Sequence, residues 1–155
     1  MAELLIRDVR EGDVEALLAN LRPADRAEAD ALVGPDKTES AVRESVSSSV
    51  MAWTGHVGDE VAFIFGCSPV SLLGEEGVPW LIGTPLIDCH RRAFIRFSRV
   101  YLPSMLAIYP TLVNLVDVRN VKSIAWLKKM GFTLLPAQPA GVAGLPFHPF
   151  FMTNT

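Results

Sequence analysis

The sequence predicts a mixed α/β (α+β) fold, in which a central sheet of parallel and antiparallel strands carries helices on both faces. Two observations predict this fold. The first half of the chain ends in two strand segments around Gly58-Asp59, a turn that suits an antiparallel hairpin. The second half alternates strand and helix segments twice, which is typical of parallel connections. We expect one domain over residues 1–155.

Composition excludes two classes of protein. The chain has 155 residues, of which 50% are hydrophobic and 20% charged, and its mean hydropathy is +0.29. This apolar content is enough to form a core, which argues against a disordered chain. The most apolar stretches, residues 61–67 and 78–87, are too short or too interrupted to span a membrane, which takes about 20 residues.

The N-terminal segment predicts a strand followed by a helix. Residues 4–9 form an apolar run that stops before Gly12. Asp13 then stands where its carboxylate can cap the first N–H groups of a helix. Leucines recur behind it at helical spacing, and Pro23 should end this helix because the residue before a proline is pushed out of the α region.

Two further helices and the hairpin follow. An Ala- and Glu-rich helix is predicted over residues 25–33, and Thr38 should cap a third helix over residues 38–49. The hairpin strands are predicted over residues 51–57 and 60–67.

The C-terminal half predicts the two strand–helix units. A strand over residues 80–86 precedes the longest helix, residues 91–109, which Pro103 should kink or divide. Residues 111–118 are almost continuously apolar, as expected for a central buried strand, and a helix follows over residues 120–130. The remaining strands are predicted over residues 132–135 and 147–152.

Charge is divided unevenly along the chain. Residues 1–80 carry 15 acidic and 6 basic side chains, whereas residues 81–155 carry 2 acidic and 8 basic ones. The division predicts one acidic and one basic face, and the basic face is either a site for an anion or a solvated surface. The aromatic side chains of the arginine-rich helix fall on its other, apolar face, so we do not expect nucleic acid as a partner.

The cysteines, the histidines and the first residues predict no disulfide, no metal site and no secretion signal. Cys67 and Cys89 form neither a C-x-x-C motif nor a disulfide framework, so we expect two small buried apolar side chains in a reducing compartment. The three histidines lack metal-ligand spacing, and no metal site is expected. The first residues are charged rather than apolar, which favours a cytoplasmic location over secretion.

The order of elements and several local sequences resemble the GCN5-related N-acetyltransferase (GNAT) superfamily. IRDV at residues 6–9, followed by Asp13, is similar to the opening strand and first helix of that family. NVKSIAWLKKMGF at residues 120–132 is similar to its penultimate strand–helix segment, in which an Asn opens the helix and Gly-Phe follows it. The resemblance covers essentially the whole chain.

Within this superfamily, the chain resembles a subgroup encoded by tailed phages and prophages, which includes internal virion proteins of podophages. The features that carry this resemblance are NLR at residues 20–22 with Asp25 and Glu28, PWLIGT at residues 79–84, and Leu112, Asn114 and Val116-Asp117 ahead of Asn120.

The resemblance implies transfer of an acetyl group from acetyl-CoA to a primary amine, with acetyl-CoA or CoA as the cofactor. The family holds the pyrophosphate of CoA on a Gly-rich loop at the start of its long helix, but residues 85–93 contain no glycine here. Arg91 and Arg92 are the candidates for that position. By position on the splayed fourth strand, the backbone N–H groups of Leu86 and Ile87 are the candidates that would bind the thioester carbonyl.

Two polar residues match family positions that face the pantetheine arm of CoA, namely Asn120 and Ser123. Asn120 also suits a second role as the cap of its helix. The family's general acid, a Tyr seven residues after this Asn, is replaced by Leu127, so the catalytic residues are unknown from the sequence. Carboxylates at element ends that could act as a base are Glu60, Asp88 and Asp117.

Two hypotheses therefore stand side by side. The first is a CoA-dependent N-acetyltransferase with a degenerate pyrophosphate loop. The second is a non-catalytic relative that serves as a virion or host-interaction component. The high apolar content favours an interface, whose partner is a phage or host protein or a second copy of the chain in a homo-oligomer.

Overall fold

The computed structural model describes residues 2–154, which form a mixed eight-stranded sheet with helices on both faces, as the sequence predicts. The strands are β1 (Leu4–Asp8), β2 (Met51–Val57), β3 (Glu60–Pro69), β4 (Glu76–Gly83), β5 (Thr111–Asp117), β6 (Thr133–Leu134), β7 (Gln138–Ala140) and β8 (Leu145–Thr153). The helices are α1 (Asp13–Ala19), α2 (Pro23–Val33), α3 (Thr38–Ser48), α4 (Arg91–Ile108) and α5 (Val121–Met130), with a short 3₁₀ helix at Pro85–Cys89. Met1 and Thr155, the ends of the predicted domain, lie outside the described residues.

The sheet has the strand order β1-β2-β3-β4-β5-β8-β6, and β7 pairs with β8. Neighbouring strands are antiparallel except β4 and β5, which are parallel. The predicted hairpin is β2–β3, and Gly58 at its turn has φ +59°, a left-handed conformation that glycine adopts without strain.

Apolar side chains form a core on each face of the sheet. Successive residues of β3 point to opposite faces, so Ile64 packs with α1 and α3 while Phe63 and Phe65 pack with α4 and α5. The acidic N-terminal helices and the basic C-terminal helices therefore cover different faces. Within residues 2–154, no helix has the length and apolar character that crossing a membrane requires.

Helix boundaries differ from the predictions at two prolines. Helix α1 ends at Ala19, and Pro23 begins α2 instead of ending α1, because the first turn of a helix needs no N–H from its first residue. Helix α4 continues through Pro103 as one element, so the alternative of two separate helices is wrong.

Two predicted caps are wrong for a common reason. Asp13 and Thr38 are the first residues of α1 and α3, not the caps before them, and both side chains are buried. Asp13 accepts hydrogen bonds from the Arg7 guanidinium and from the Thr54 hydroxyl, both at 2.7 Å. The Thr38 hydroxyl donates to Asp30. Both side chains thus join neighbouring elements instead of capping their own helix.

Three other expectations are corrected. Strand β4 begins and ends earlier than the predicted 80–86, and β7 lies in a segment that was expected to be a loop. Cys67 is buried, as expected, and burial raises the pKa of its thiol to about 11, but Cys89 is exposed.

Candidate functional site between strands β4 and β5

Strands β4 and β5 separate soon after they begin. Their parallel pairing joins only Glu76 and Gly77 to the start of β5. The Thr84 N–H donates to the Ala62 carbonyl of β3 at 2.9 Å. Because hydrogen-bonded residues alternate along an antiparallel strand, the even-numbered residues of β4 bond to β3. The backbone N–H and C=O groups of the odd-numbered residues therefore point towards β5. Pro79 is odd-numbered and lacks an N–H, which removes a ladder bond on the side where the strands part.

The separation leaves backbone groups of β4 facing the gap. The Pro79 carbonyl accepts a hydrogen bond from Asn114 Nδ2 at 2.7 Å, and the Gly83 N–H donates to Asp25 Oδ2 at 2.7 Å. Between them, the alternation directs the N–H and C=O of Leu81 into the same gap. Leu81 therefore presents a backbone donor in the middle of the opening.

A cavity of about 520 Å³ occupies the gap. Its lining comes from helices on both faces of the sheet, with Glu28 and Ser45 on the α2–α3 side and Ser98 and Ser123 on the α4–α5 side. The cavity thus lies between β4 and β5 and is in contact with helices of both halves of the chain, and its charged lining side chains are the acidic Asp25, Glu28 and Glu44.

A buried polar cluster closes the wide end of the gap. The Arg22 guanidinium donates to Asn120 Oδ1 at 3.1 Å and pairs with Asp25 at 3.4 Å, and it lies 3.5 Å from Ser123 Oγ. Asn120 Nδ2 in turn donates to Glu28 Oε2 at 2.7 Å. These contacts join the start of α2 to the start of α5.

The carboxyl groups of this cluster have perturbed pKa values. Burial raises the pKa of Glu28 from its ordinary value to about 7; the charge of Asp25 adds to this, while the hydrogen bond from Asn120 opposes it. Burial also raises the pKa of Asp25, against the opposing charge of Arg22 and the hydrogen bond from the Gly83 N–H.

Two buried donors beside the cluster have no protein acceptor among the residues that the structure describes. These are Arg22 Nε and Trp126 Nε1. The Arg22 guanidinium lies over the Trp126 ring, 5.1 Å from its centroid, and Trp126 lines the cavity. A buried donor without a partner is unfavourable, so a ligand atom with a lone pair would stabilise this end of the cavity.

Asn120 and Ser123 lie close together, since both line the cavity and both lie near the Arg22 guanidinium. The prediction that the Asn120 side chain caps α5 is wrong. Asn120 is at the N-cap position of α5, yet its side chain forms no capping hydrogen bond, because Arg22 and Glu28 engage it instead. Facing a pantetheine arm stays a prediction for both residues.

The connection from β4 to α4 differs from the expected extended strand. Leu86 and Ile87 lie in the 3₁₀ helix beyond the end of β4, so their placement on the splayed strand is wrong. The Ile87 N–H already donates to the Thr84 carbonyl at 3.1 Å. Binding of a cofactor carbonyl by these two residues stays a prediction, and Leu81 is the residue that occupies the strand position.

Arg91 and Arg92 are exposed at the start of α4. One turn further on, Arg96 and Arg99 continue the exposed basic surface, and with Lys129 of α5 they line a shallow depression. Phosphate binding at Arg91 and Arg92 stays a prediction, on a surface whose charge suits an anion.

The three carboxylates predicted as candidate bases, Glu60, Asp88 and Asp117, do not line the cavity. Although burial opposes it, the hydrogen bonds from Arg119 hold the pKa of Asp117 below its ordinary value. Asp88 pairs with Lys122 at 3.4 Å, and Glu60 is exposed at the start of β3. Arg22, Asp25 and Glu28 entered the sequence-based prediction only as features of the resembled subgroup and not as site residues, although they recur every three residues, as residues on one helical face do.

Solved acetyltransferase structures share this fold. The structure of an aminoglycoside N(6')acetyltransferase from Legionella pneumophila matches with a TM-score of 0.72 and 12% identity, over 99% of this chain and 94% of that chain. A spermidine N-acetyltransferase from Vibrio cholerae, solved in complex with CoA and spermine, matches with a TM-score of 0.70 and 12% identity, over 98% and 96%. A GCN5-related N-acetyltransferase from Kribbella flavida matches with a TM-score of 0.69 and 14% identity, over 97% of each chain.

These matches show that the chain has the fold of the GNAT acetyltransferases, as its resemblance implied. No protein-family model matches the chain, and no curated protein does.

Proposed function

We propose that the chain is a GNAT-superfamily enzyme that transfers an acetyl group from acetyl-CoA to a primary amine. The observation that carries this proposal is the cavity between β4 and β5, which is lined from both faces of the sheet. Such a cavity lets an acetyl donor and an amine acceptor meet from opposite faces. The solved spermidine N-acetyltransferase with CoA and spermine supports both substrate classes for a protein of this fold.

Acetyl-CoA fits the α4–α5 side of the cavity. An acceptor atom of a ligand would satisfy the two buried donors that have no partner among the described residues, Arg22 Nε and Trp126 Nε1. The exposed Arg91 and Arg92 would hold its phosphates, and Asn120 and Ser123 would face its pantetheine arm. Bound acetyl-CoA would supply the thioester carbon that the amine attacks.

The chain's own part in this reaction is positioning and hydrogen bonding. The Leu81 N–H faces the gap and would donate to the carbonyl oxygen on which charge develops. Leu127, at the position of the family's Tyr, cannot donate a proton, so the thiolate would take its proton from another group.

The segment before α4 departs from the family, which supports a degenerate pyrophosphate loop. A 3₁₀ helix without glycine replaces the Gly-rich loop, and its side chains keep a phosphate farther from the backbone N–H groups than glycine would. We therefore expect the basic side chains at the start of α4 to contribute more of the binding, and the affinity to fall with salt.

The second candidate is a phage- or prophage-encoded relative without catalysis, which would act in the virion or on a host protein. It is supported by the sequence features of that subgroup and by the absence of the loop and of the acid. Mass spectrometry of purified particles of an encoding phage tests it, because a virion component must be present in them at constant stoichiometry.

The test of the enzyme proposal is a calorimetric titration with acetyl-CoA. We expect saturable binding and a rise in melting temperature, because a ligand that binds only the folded state stabilises it. No heat and no thermal shift at millimolar acetyl-CoA would remove the basis of the proposal.

A further inference from the structure

We propose that Glu28 receives the ammonium group of the amine acceptor and takes its proton, an assignment that rests on the proposed acetyl transfer. The acceptor would enter on the α2–α3 side of the sheet. In the sequence, Glu28 is a feature of the resembled subgroup to which the resemblance assigns no role.

Glu28 lies at the border between the cavity and the polar cluster. It belongs to α2, lines the cavity, and is fixed at 2.7 Å by Asn120 Nδ2. On the same side, Glu44 and Ser45 of α3 also line the cavity. An incoming ammonium would therefore meet carboxylate and hydroxyl oxygens, which are its preferred partners.

Asp25, a second carboxylate that lines the cavity, is already engaged. Its Oδ2 accepts from the Gly83 N–H at 2.7 Å, and its Oδ1 accepts from Arg22 at 3.4 Å and from Asn120 at 3.5 Å. These contacts hold Asp25 in a structural role, whereas Glu28 accepts one side-chain hydrogen bond, from Asn120, and one from the backbone of Asp117.

Charge also distinguishes the two carboxylates. Asp25 pairs with Arg22, whereas Glu28 forms no ion pair with any residue between 2 and 154. The charged groups that act on Glu28 are Asp25 of α2 and, at the end of β5, Asp117 and Arg119, while Arg22 and Asp88 act on the neighbouring Asp25. A partly buried carboxylate without its own ion-pair partner favours a cationic ligand.

The raised pKa supports the same role. A carboxyl that titrates at about 7 can accept a proton from a bound ammonium and release it to solvent near neutral pH. Its ordinary value would make it a weaker base.

The step balances as a proton transfer followed by acyl transfer. The ammonium gives one proton to the Glu28 carboxylate, and the freed nitrogen lone pair forms the C–N bond as the C–S bond breaks and its electron pair leaves on sulfur. The nitrogen loses a second proton, which ends on the thiolate, and Glu28 returns its proton to solvent.

Putrescine binding, measured by calorimetry, tests this inference without turnover. Wild-type protein should bind this diammonium probe at about pH 8, and Glu28→Gln should weaken the binding by about 10-fold or more because it removes one buried charge partner. Glu39→Gln is the matched control, since Glu39 is an exposed α3 residue outside the cavity, and its affinity should stay within about twofold.

A second measurement needs no variant. In ¹³C-glutamate-labelled wild-type protein, a side-chain carboxyl signal should titrate near pH 7, and its midpoint should fall when putrescine is bound, because a neighbouring cation stabilises the carboxylate. No binding of putrescine, equal binding by Glu28→Gln, or an unmoved midpoint would each overturn the inference.

Failure of this inference can be separated from failure of the proposed function. If wild type and Glu28→Gln both bind acetyl-CoA and have the same affinity for putrescine, only the assignment of Glu28 is wrong. If acetyl-CoA does not bind to the wild type, the proposed acetyl transfer is wrong, and the role of Glu28, which rests on it, is wrong too.

Discussion

Asn114 of β5 donates a 2.7 Å hydrogen bond from its Nδ2 to the carbonyl oxygen of Pro79 in β4, across the gap where the two strands have parted. The other end of the same amide, Oδ1, accepts from the Leu115 N–H at 2.7 Å. One side chain thus satisfies two backbone groups at the edge of the cavity, including the Pro79 carbonyl, which has no partner from the backbone of β5 where the strands have parted.

Asn114→Ala should destabilise the protein by about 1–3 kcal/mol, because it leaves the Pro79 carbonyl without its partner. Urea denaturation followed by circular dichroism measures the change. Asn20→Ala, at an exposed position after α1, is the control and should stay within about 0.5 kcal/mol. Equal losses in the two variants would contradict the bridging role of Asn114.

Arg22→Ala should lower the free energy of unfolding by about 3–5 kcal/mol, because the change leaves the buried Asp25 carboxylate without its cation. It also removes the stacking of the guanidinium on Trp126. The loss is measured by chemical denaturation against Arg26→Ala, an exposed position on the same helix with an expected change below about 0.5 kcal/mol. A small loss for Arg22→Ala would mean that the cluster does not hold α2 and α5 together.

Stability should depend on pH through Glu28. Its pKa is raised to about 7 in the folded state, so between its ordinary value and pH 7 the folded protein binds a proton that the unfolded chain has released. Unfolding free energy should therefore fall as the pH rises through this window, by up to about 3 kcal/mol for a shift of this size.

Glu28→Gln should flatten that slope and make the protein more stable than the wild type at about pH 8, because an uncharged side chain is buried at lower cost. Denaturation curves from about pH 5 to about pH 8 measure the effect. Asp13 and Asp117 do not interfere, since their lowered pKa values contribute stability that is lost only at lower pH. Asp25, whose pKa burial also raises, gives a slope of the same sign, so the part of the slope that Glu28→Gln removes is the part that belongs to Glu28. A wild-type slope that survives in Glu28→Gln would show that another group titrates there.

Arg91→Ala combined with Arg92→Ala should weaken acetyl-CoA binding by about 5- to 10-fold and reduce its dependence on salt, because two exposed phosphate partners are removed. Calorimetric titration at two salt concentrations measures both effects. Arg10→Ala combined with Arg26→Ala makes the same change of charge at exposed positions outside α4 and should leave the affinity unchanged. Equal affinities in the two double variants would place the phosphates elsewhere.

Much of the fold could be predicted because periodicity reports it directly. The Gly58-Asp59 hairpin and the apolar run that became β5 are local patterns, and their elements lie within a residue or two of the expected bounds. The wrong boundaries lie at residues that are compatible with two positions. A proline such as Pro23 can follow one helix or begin the next, and a short polar residue such as Asp13 can cap a helix or bond to a neighbouring element. Tertiary contacts determine which position is occupied.

Less of the site could be predicted, since its residues meet only through packing. Arg22 and Asn120 are 98 positions apart and lie within 3.1 Å. The same is true of Glu28, whose partner Asn120 lies 92 positions away. A sequence shows that such side chains are polar, but burial and neighbouring charges decide which of them pair and which titrate near neutral pH.

The sequence by itself determined most of the order of strands and helices and the separation of acidic and basic halves, because these follow from local pattern and composition, whereas Asn120 and Ser123 became candidates only through the resemblance to the GNAT superfamily. Only the tertiary structure decided where β4 and β5 part, that helices of both halves line one cavity, and that Glu28 lies partly buried there without an ion pair among residues 2–154. The physical reason is desolvation: the chemistry of a carboxylate depends on the water and the charges that folding removes or brings near, and those belong to the folded chain.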